Sequence, residues 1–301
     1  MMRTIGILLS GCLVACGSAA YAAPAKKTPP PVDPPMQVHV VRSAHPGCEP
    51  QCLQWIAAQG KIGPDSVSQF KKVLSQLGDR KLPILIDSTG GSVNDALAIG
   101  RLVRAKGLDV VVTKTLFTPC APTDTACRKS KAGGELKGLA QASLSKCASS
   151  CAFILAGGTR RFVGQGTFVG VHQITMILRM YRILTRHSFG VPVETQKTFL
   201  SEQKVGQKSP QTQSTYTNMK RYFAEMGIGD DIMPLIMSTP TDSIRWLTAD
   251  ELRSTRLATH AINGEQLITG VASPPSVRPN DPARIAPPSS LFLKPPAAPS
   301  K

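Results

Sequence analysis

Acidic residues are scarce in this chain: 19 Asp and Glu stand against 35 Lys and Arg over 301 residues, a formal charge of +16. Aromatic residues are scarce as well, at 5% of the chain. A strong positive balance is the footprint of nucleic-acid binding, but so few aromatics leave few platforms on which bases could stack. No nucleic-acid partner is therefore expected. An anionic envelope surface, whether polymer, lipid headgroup or acidic protein, is the expected target of the charge, beside a surface that is merely basic and soluble. The five histidines form no cluster and the cysteines no paired C-x-x-C knuckles, so neither metal nor cofactor is expected. Beyond the first two dozen residues no stretch approaches the roughly 20 apolar residues that a spanning helix needs.

The one long apolar run opens the chain. Arg3 precedes Ile5 to Ala15, and Ala20-Tyr21-Ala22 before Ala23-Pro24 reads as a small-x-small cleavage site. Residues 1–22 thus read as a secretory signal, giving an exported, periplasmic protein. Leu13-Val14-Ala15-Cys16 offers an alternative, a lipobox in which Cys16 is lipidated and becomes the mature N-terminus. Export changes how the cysteines read. Six of the eight lie beyond the leader: Cys48, Cys52, Cys120, Cys127, Cys147 and Cys151. An even number in an oxidising compartment implies disulfides, with the pairing open. Cys48 with Cys52 and Cys120 with Cys127 could close short loops, while Cys147 and Cys151 flank Ser149.

Proline-rich segments bracket the middle. Residues 23–45 read as a tether and 271–301 as a tail, neither able to make a core and both expected to be disordered. The 46–270 stretch is long enough for one sizeable domain. Within it, Asp65 to Leu77 is helical by spacing, Leu82 to Ile86 is a short buried strand, Val93 to Lys106 is helical again and Leu108 to Val112 is the next strand. This alternation predicts an α/β fold built from βαβ units around a largely parallel sheet. Residues 114–146 hold Cys120 and Cys127, carry many basic residues and show no periodicity, which predicts a disulfide-tied surface insertion. A helix over about Ser150 to Ala156 and a strand over Thr167 to His172 follow. Ile174 to Leu184 suggests a rim or contact helix before a polar linker, and two helices, Thr215 to Met226 and Asp230 to Met237, break at Gly227 and Gly229.

Three segments together could carry chemistry. Ile84-Leu85-Ile86-Asp87-Ser88-Thr89-Gly90-Gly91-Ser92-Val93 is a strand ending in paired glycines that open a helix, where backbone N–H groups can meet a developing oxyanion. Cys147-Ala148-Ser149-Ser150-Cys151 places a serine among small residues at a helix start, close to unpaired backbone N–H groups. That position suits a nucleophile and equally suits an N-cap. Val169-Gly170-Val171-His172-Gln173 ends an apolar strand on a histidine, which serves either as a rim residue or as a base.

These segments, in this order and spacing, resemble the proteolytic subunit of Clp proteases: the Gly-Gly turn after Ser88, the nucleophile segment Ser149 to Leu155 and the histidine segment Val169 to Gln173. Arg245-Trp246-Leu247-Thr248 resembles the same family's closing turn. The resemblance covers roughly Trp55 to Ile262 and is greatest with exported Clp-like proteins whose nucleophile sits in C-x-S-x-C. It implies a ClpP/crotonase-like spiral of βαβ units, with Ser149 as nucleophile, His172 as base and the N–H groups of Gly91 and Ser150 as oxyanion hole. The third member departs from the family. Ungapped counting puts Thr239 where an aspartate is expected, and Asp242 stands close enough to substitute if the loop differs. The implied activity is an ATP-independent envelope serine peptidase acting on peptides or unfolded protein, with homo-oligomerisation as a further implication. The alternative is a degenerate Clp-like module that binds peptides or envelope polymers without chemistry.

Overall fold

Alternation along single strands decides where the two cores of this molecule lie. The computed structural model describes residues 33–122, 124, 136–189 and 191–269. The expected leader, Cys16, Cys127 and the proline-rich tail lie outside the described residues. The first half of the chain runs β1 (Gln37–Ser43), β2 (Gln54–Gln59), α1 (Pro64–Leu77), β3 (Ile84–Asp87), α2 (Val93–Lys106), β4 (Val110–Val112), β5 (Lys114–Thr118), β6 (Lys137–Gln141) and β7 (Ser145–Ala148). The second half runs α3 (Cys151–Gly157), β8 (Arg161–Phe162), β9 (Thr167–Val171), β10 (Met176–Ser188), β11 (Val191–Val205), α4 (Pro210–Glu225), α5 (Ile232–Met237), β12 (Arg245–Trp246), α6 (Ala249–Ser254) and α7 (Gly264–Thr269).

Seven strands form one mixed sheet in the order β5-β6-β1-β2-β3-β4-β8. From β2 to β8 the ladder is parallel, the pattern that strand–helix–strand crossovers produce. In β3, Ile84 and Ile86 face the helices while Leu85 faces the other way, and all three are fully buried. Both faces of this sheet are therefore covered over Trp55–Ala58, Ile84–Ile86 and Val110–Val112, which is why these stretches of its central strands are apolar without alternation. On the helical side Phe70, Val73, Ile99, Phe153 and Tyr222 join one large core. On the opposite side Val41, Trp55, Ala57, Leu85, Val111 and Phe162 make a second, smaller one. Each such side chain contributes about 1.5–3 kcal/mol by leaving water, so the sheet is anchored from two directions. A second sheet, β12-β9-β7, pairs β9 with β7 in parallel and with β12 antiparallel.

Three expectations change. Residues 37–43, placed in the tether by their proline-rich neighbours, form β1 and pair with β2. Val38 and Val41 are buried there. The 114–146 segment supplies β5, β6 and the start of β7. β5 and β6 hide from a periodicity test because each buries only one residue, Thr115 in β5 being a polar one that accepts the Trp55 indole N–H at 2.9 Å. Residues 176–205, expected to hold a contact helix and linker, form an exposed hairpin, β10 against β11. Apolar residues at 177, 180, 181 and 184 follow a helical period, which is what suggested a helix. Cross-strand pairs set the register: Arg179 with Glu202 at 2.7 Å, Tyr181 edge-on to Phe199, and Lys197 Nζ 4.0 Å above the Tyr181 ring.

Disulfides join Cys48 to Cys52 and Cys147 to Cys151. Cys120 is also disulfide-bonded. Among the described residues no helix is long and apolar enough to cross a membrane.

Candidate functional site

Ser149 and His172 are 23 positions apart in the chain, and a parallel ladder brings them together. β7 and β9 run side by side with Ala148 opposite Gly170. The two strands therefore end at the same level, and each releases its next residues at its carboxyl end. The Ser149 N–H donates to the Gly170 carbonyl at 2.7 Å and locks the register at this point. Beyond it, His172 Nε2 lies 2.8 Å from Ser149 Oγ. Ser149 has φ of 56°, a left-handed conformation that few non-glycine residues adopt. Such strain concentrates where a side chain must be aimed. The hydroxyl of Ser149 meets the imidazole, and the N-cap position of α3 belongs to Ser150, whose side chain makes no cap bond.

The Gly-Gly turn lies against this pair. Ser88 pairs with Cys147: its N–H donates to the Lys146 carbonyl at 2.8 Å and its own carbonyl accepts the Ala148 N–H at 2.9 Å. A Cβ on Gly90 would lie 2.8 Å from Ser149 Cβ and 3.0 Å from the Ser150 nitrogen. Gly91, at φ of 143°, would put a Cβ 2.1 Å from the Ile62 carbonyl oxygen. Only glycine lets the turn approach the serine this closely. The Gly90-Gly91 turn and the Ser149-Ser150 segment are thus in direct contact through Gly90.

The third position is different. His172 Nδ1 is buried and has no hydrogen-bond partner among the described residues. Thr239 is near in the chain path, since the Gln173 N–H donates to its carbonyl at 2.9 Å. Its hydroxyl, however, donates to the Leu235 carbonyl at 2.9 Å, back into α5. Asp242 is exposed and makes no contact with the imidazole. Among the described residues no carboxylate therefore selects the tautomer of His172. Burial lowers the imidazole pKa below its usual 6.5, with only the Gln173 backbone working the other way. The ring is neutral at pH 7 and able to accept a proton.

Beside the pair lies a small cleft whose apolar wall sequence reasoning missed: Val93 from α2, Phe153 from α3, and Met219 and Phe223 from α4. The signal was present in the helical spacing of Tyr216, Met219 and Phe223, all buried. Nothing in that spacing says which face of α4 meets the serine. Tyr216 also fixes the chain after His172, its hydroxyl accepting the Ile174 N–H at 3.1 Å. Among the described residues no group of three or more His, Cys, Asp and Glu side chains is arranged to hold a metal.

The chain is similar to a solved Clp structure. A point mutant of ClpP1 from Listeria monocytogenes superposes at a TM-score of 0.40 with 14% identity, over 69% of this chain and 90% of that one. No protein-family model and no curated protein matches the chain.

The Cys147–Cys151 bridge spans the nucleophile turn, with both cysteines fully buried. It closes a short loop, between residues 4 apart in the chain, around a strained Ser149. The double variant Cys147→Ala/Cys151→Ala is expected to lose about 2 kcal/mol of stability and to lower the reactivity of Ser149 about tenfold. Denaturant unfolding beside a labelling rate for Ser149 checks both, and unchanged values would show the bridge to be incidental.

Proposed function

We propose that the protein is an ATP-independent serine peptidase of the cell envelope acting on short or unfolded peptides. The observation that carries this reading is the 2.8 Å contact between Ser149 Oγ and His172 Nε2. In the Nδ1–H tautomer the hydroxyl donates to Nε2, which takes its proton as Oγ attacks the peptide carbonyl. The backbone N–H groups of Gly91 and Ser150 stabilise the tetrahedral oxyanion. The imidazolium then returns its proton to the leaving amine, and water, deprotonated by the same ring, releases the acyl group. The apolar wall of Val93, Phe153, Met219 and Phe223 favours a small apolar side chain at the scissile residue. Disulfides at Cys48–Cys52 and Cys147–Cys151 suit an exported protein.

A second reading, a peptide-binding module without turnover, draws support from the unpartnered Nδ1 of His172. Turnover of a fluorogenic peptide library by the purified mature protein distinguishes the two. Cleavage that falls at least about 10³-fold in Ser149→Ala supports the peptidase. Binding of the same peptides with no cleavage in either protein would leave the module.

A further inference from the structure

On the face of the main sheet away from α1 and α2, the smaller core does not run the full length of the strands. Val41, Trp55, Ala57 and Leu85 give way to polar side chains where β2 and β3 reach their carboxyl ends. The register Gln37–Gln59–Asp87 makes a polar row across three strands, and His39 lies two residues further along β1 on the same face. Above this row is a cavity of about 220 Å³, far larger than the cleft beside Ser149. Carboxyl ends of strands in an open α/β sheet are where ligands bind.

Hydrogen-bond capacity in this cavity is left open, and most of it is acceptor capacity. The Nε2 of His39 is buried without a partner among the described residues. The Asp87 carboxylate accepts the Lys146 N–H at 2.8 Å through one oxygen. Asp33 accepts the Thr89 hydroxyl through one oxygen. Burial pushes the Asp87 carboxyl pKa up, against the Lys146 backbone N–H and the nearby charges of Lys146 and Lys114, and pushes the His39 imidazole pKa down, so each is held short of solvent. Lys146 also borders the cavity, but among the described residues it forms no ion pair with Asp87. Apolar surface completes the wall. Phe117 stands edge-on to His39 with ring centroids 6.3 Å apart, and Pro34 and Pro35 close the near side.

We propose that this cavity is a second binding site, for an alkylammonium group held by Asp87, Asp33 and His39 with its carbon chain against Phe117 and the prolines. An ammonium supplies three donors and no acceptor, which matches two carboxylates and an unpartnered imidazole nitrogen. An aromatic wall suits a cation's carbon chain. This site stands apart from the peptidase reading, because no residue of the Ser149–His172 pair enters the cavity. It nevertheless touches that pair's scaffold: Thr89, bound to Asp33, immediately precedes the Gly-Gly turn, and Lys146 lies three residues before Ser149.

Calorimetric titration of the purified full mature chain tests it, with cadaverine as free amine, Nα-acetyl-lysine methylamide as a peptide-borne amine, and glutarate as the anionic control. The expected result is saturable binding of one or both amines, none of glutarate, and at least tenfold weaker binding in Asp87→Asn. Binding of cadaverine alone would assign the site to a free amine, and binding of the lysine derivative to a lysine side chain. Asp33→Asn, with the Asp87 fold contact intact, provides the second variant and is expected to weaken binding as well. Absence of heat with both amines, equal binding of glutarate, or undiminished affinity in both variants would overturn the assignment.

Discussion

Alanine at Gly91 is expected to lower stability by on the order of 3 kcal/mol and to slow acylation of Ser149 at least about 100-fold. Two independent effects combine here. A side chain at φ of 143° is strained whatever the space, and its Cβ would lie 2.1 Å from the backbone oxygen of Ile62. That oxygen is fixed, because it accepts the Ser92 N–H at 3.0 Å while the Ile62 N–H donates to the Gly90 carbonyl at 2.8 Å. The turn must therefore move, and with it Gly90, which packs against Ser149 and Ser150. Chemical denaturation gives the first quantity and the rate of covalent labelling the second. A variant with wild-type stability and rate would show that the turn does not need this conformation. Alanine at the neighbouring exposed Asn94 should change neither.

Aspartate at Thr239 is expected to raise turnover, by about 10- to 100-fold, where most active-site changes lower it. Losing the carboxylate from a Ser-His-Asp triad costs about 10⁴ in turnover, chiefly because the wrong tautomer prevails. In this protein the imidazole already meets Ser149, while its Nδ1 is buried and unpartnered among the described residues. Residue 239 is held next to the histidine segment by the Gln173 N–H. A carboxylate there would accept the Nδ1–H, select the productive tautomer and stabilise the imidazolium. The same change has a signature in pH. The wild-type rate should rise with pH and reach half its maximum below 6.5, because burial lowers the His172 pKa. A neighbouring carboxylate favours the charged ring, so the midpoint in Thr239→Asp should move up. An unchanged rate with an unmoved midpoint would place residue 239 out of reach of the ring. The burial of Thr239, at 7% exposure, makes some loss of stability the accompanying cost.

What could be read from the sequence follows from which interactions are local. α1 and α2 and the strands β3 and β4 were legible because their apolar spacing records burial against the same sheet. Gly90 and Gly91 were legible for a related reason, since a turn passing this close to another backbone tolerates no side chain. The pairing of Ser149 with His172 was legible only through order and spacing. The contact itself arises from the parallel ladder of β7 and β9, which no local pattern encodes. β10 and β11 were misread because their side chains face solvent on both surfaces, so burial imprinted no period on them. β5 and β6 were missed because only one residue in each is buried, so burial left no alternation to read. The empty third position could be suspected at Thr239, but the turning of its hydroxyl toward Leu235 is a property of the α5 terminus. The acceptor-rich cavity at the strand ends was invisible, since Asp87 stands far in the chain from Asp33 and His39 and only the β1-β2-β3 register brings them to one face.

The most direct test of the Ser149–His172 chemistry is reaction of the purified protein with a fluorophosphonate, followed by mass mapping of the adduct. The expected result is a single adduct on Ser149, lost in Ser149→Ala and slowed at least about 10³-fold in His172→Ala. A protein that stays unlabelled while folded, or that carries its adduct on another serine, would contradict it.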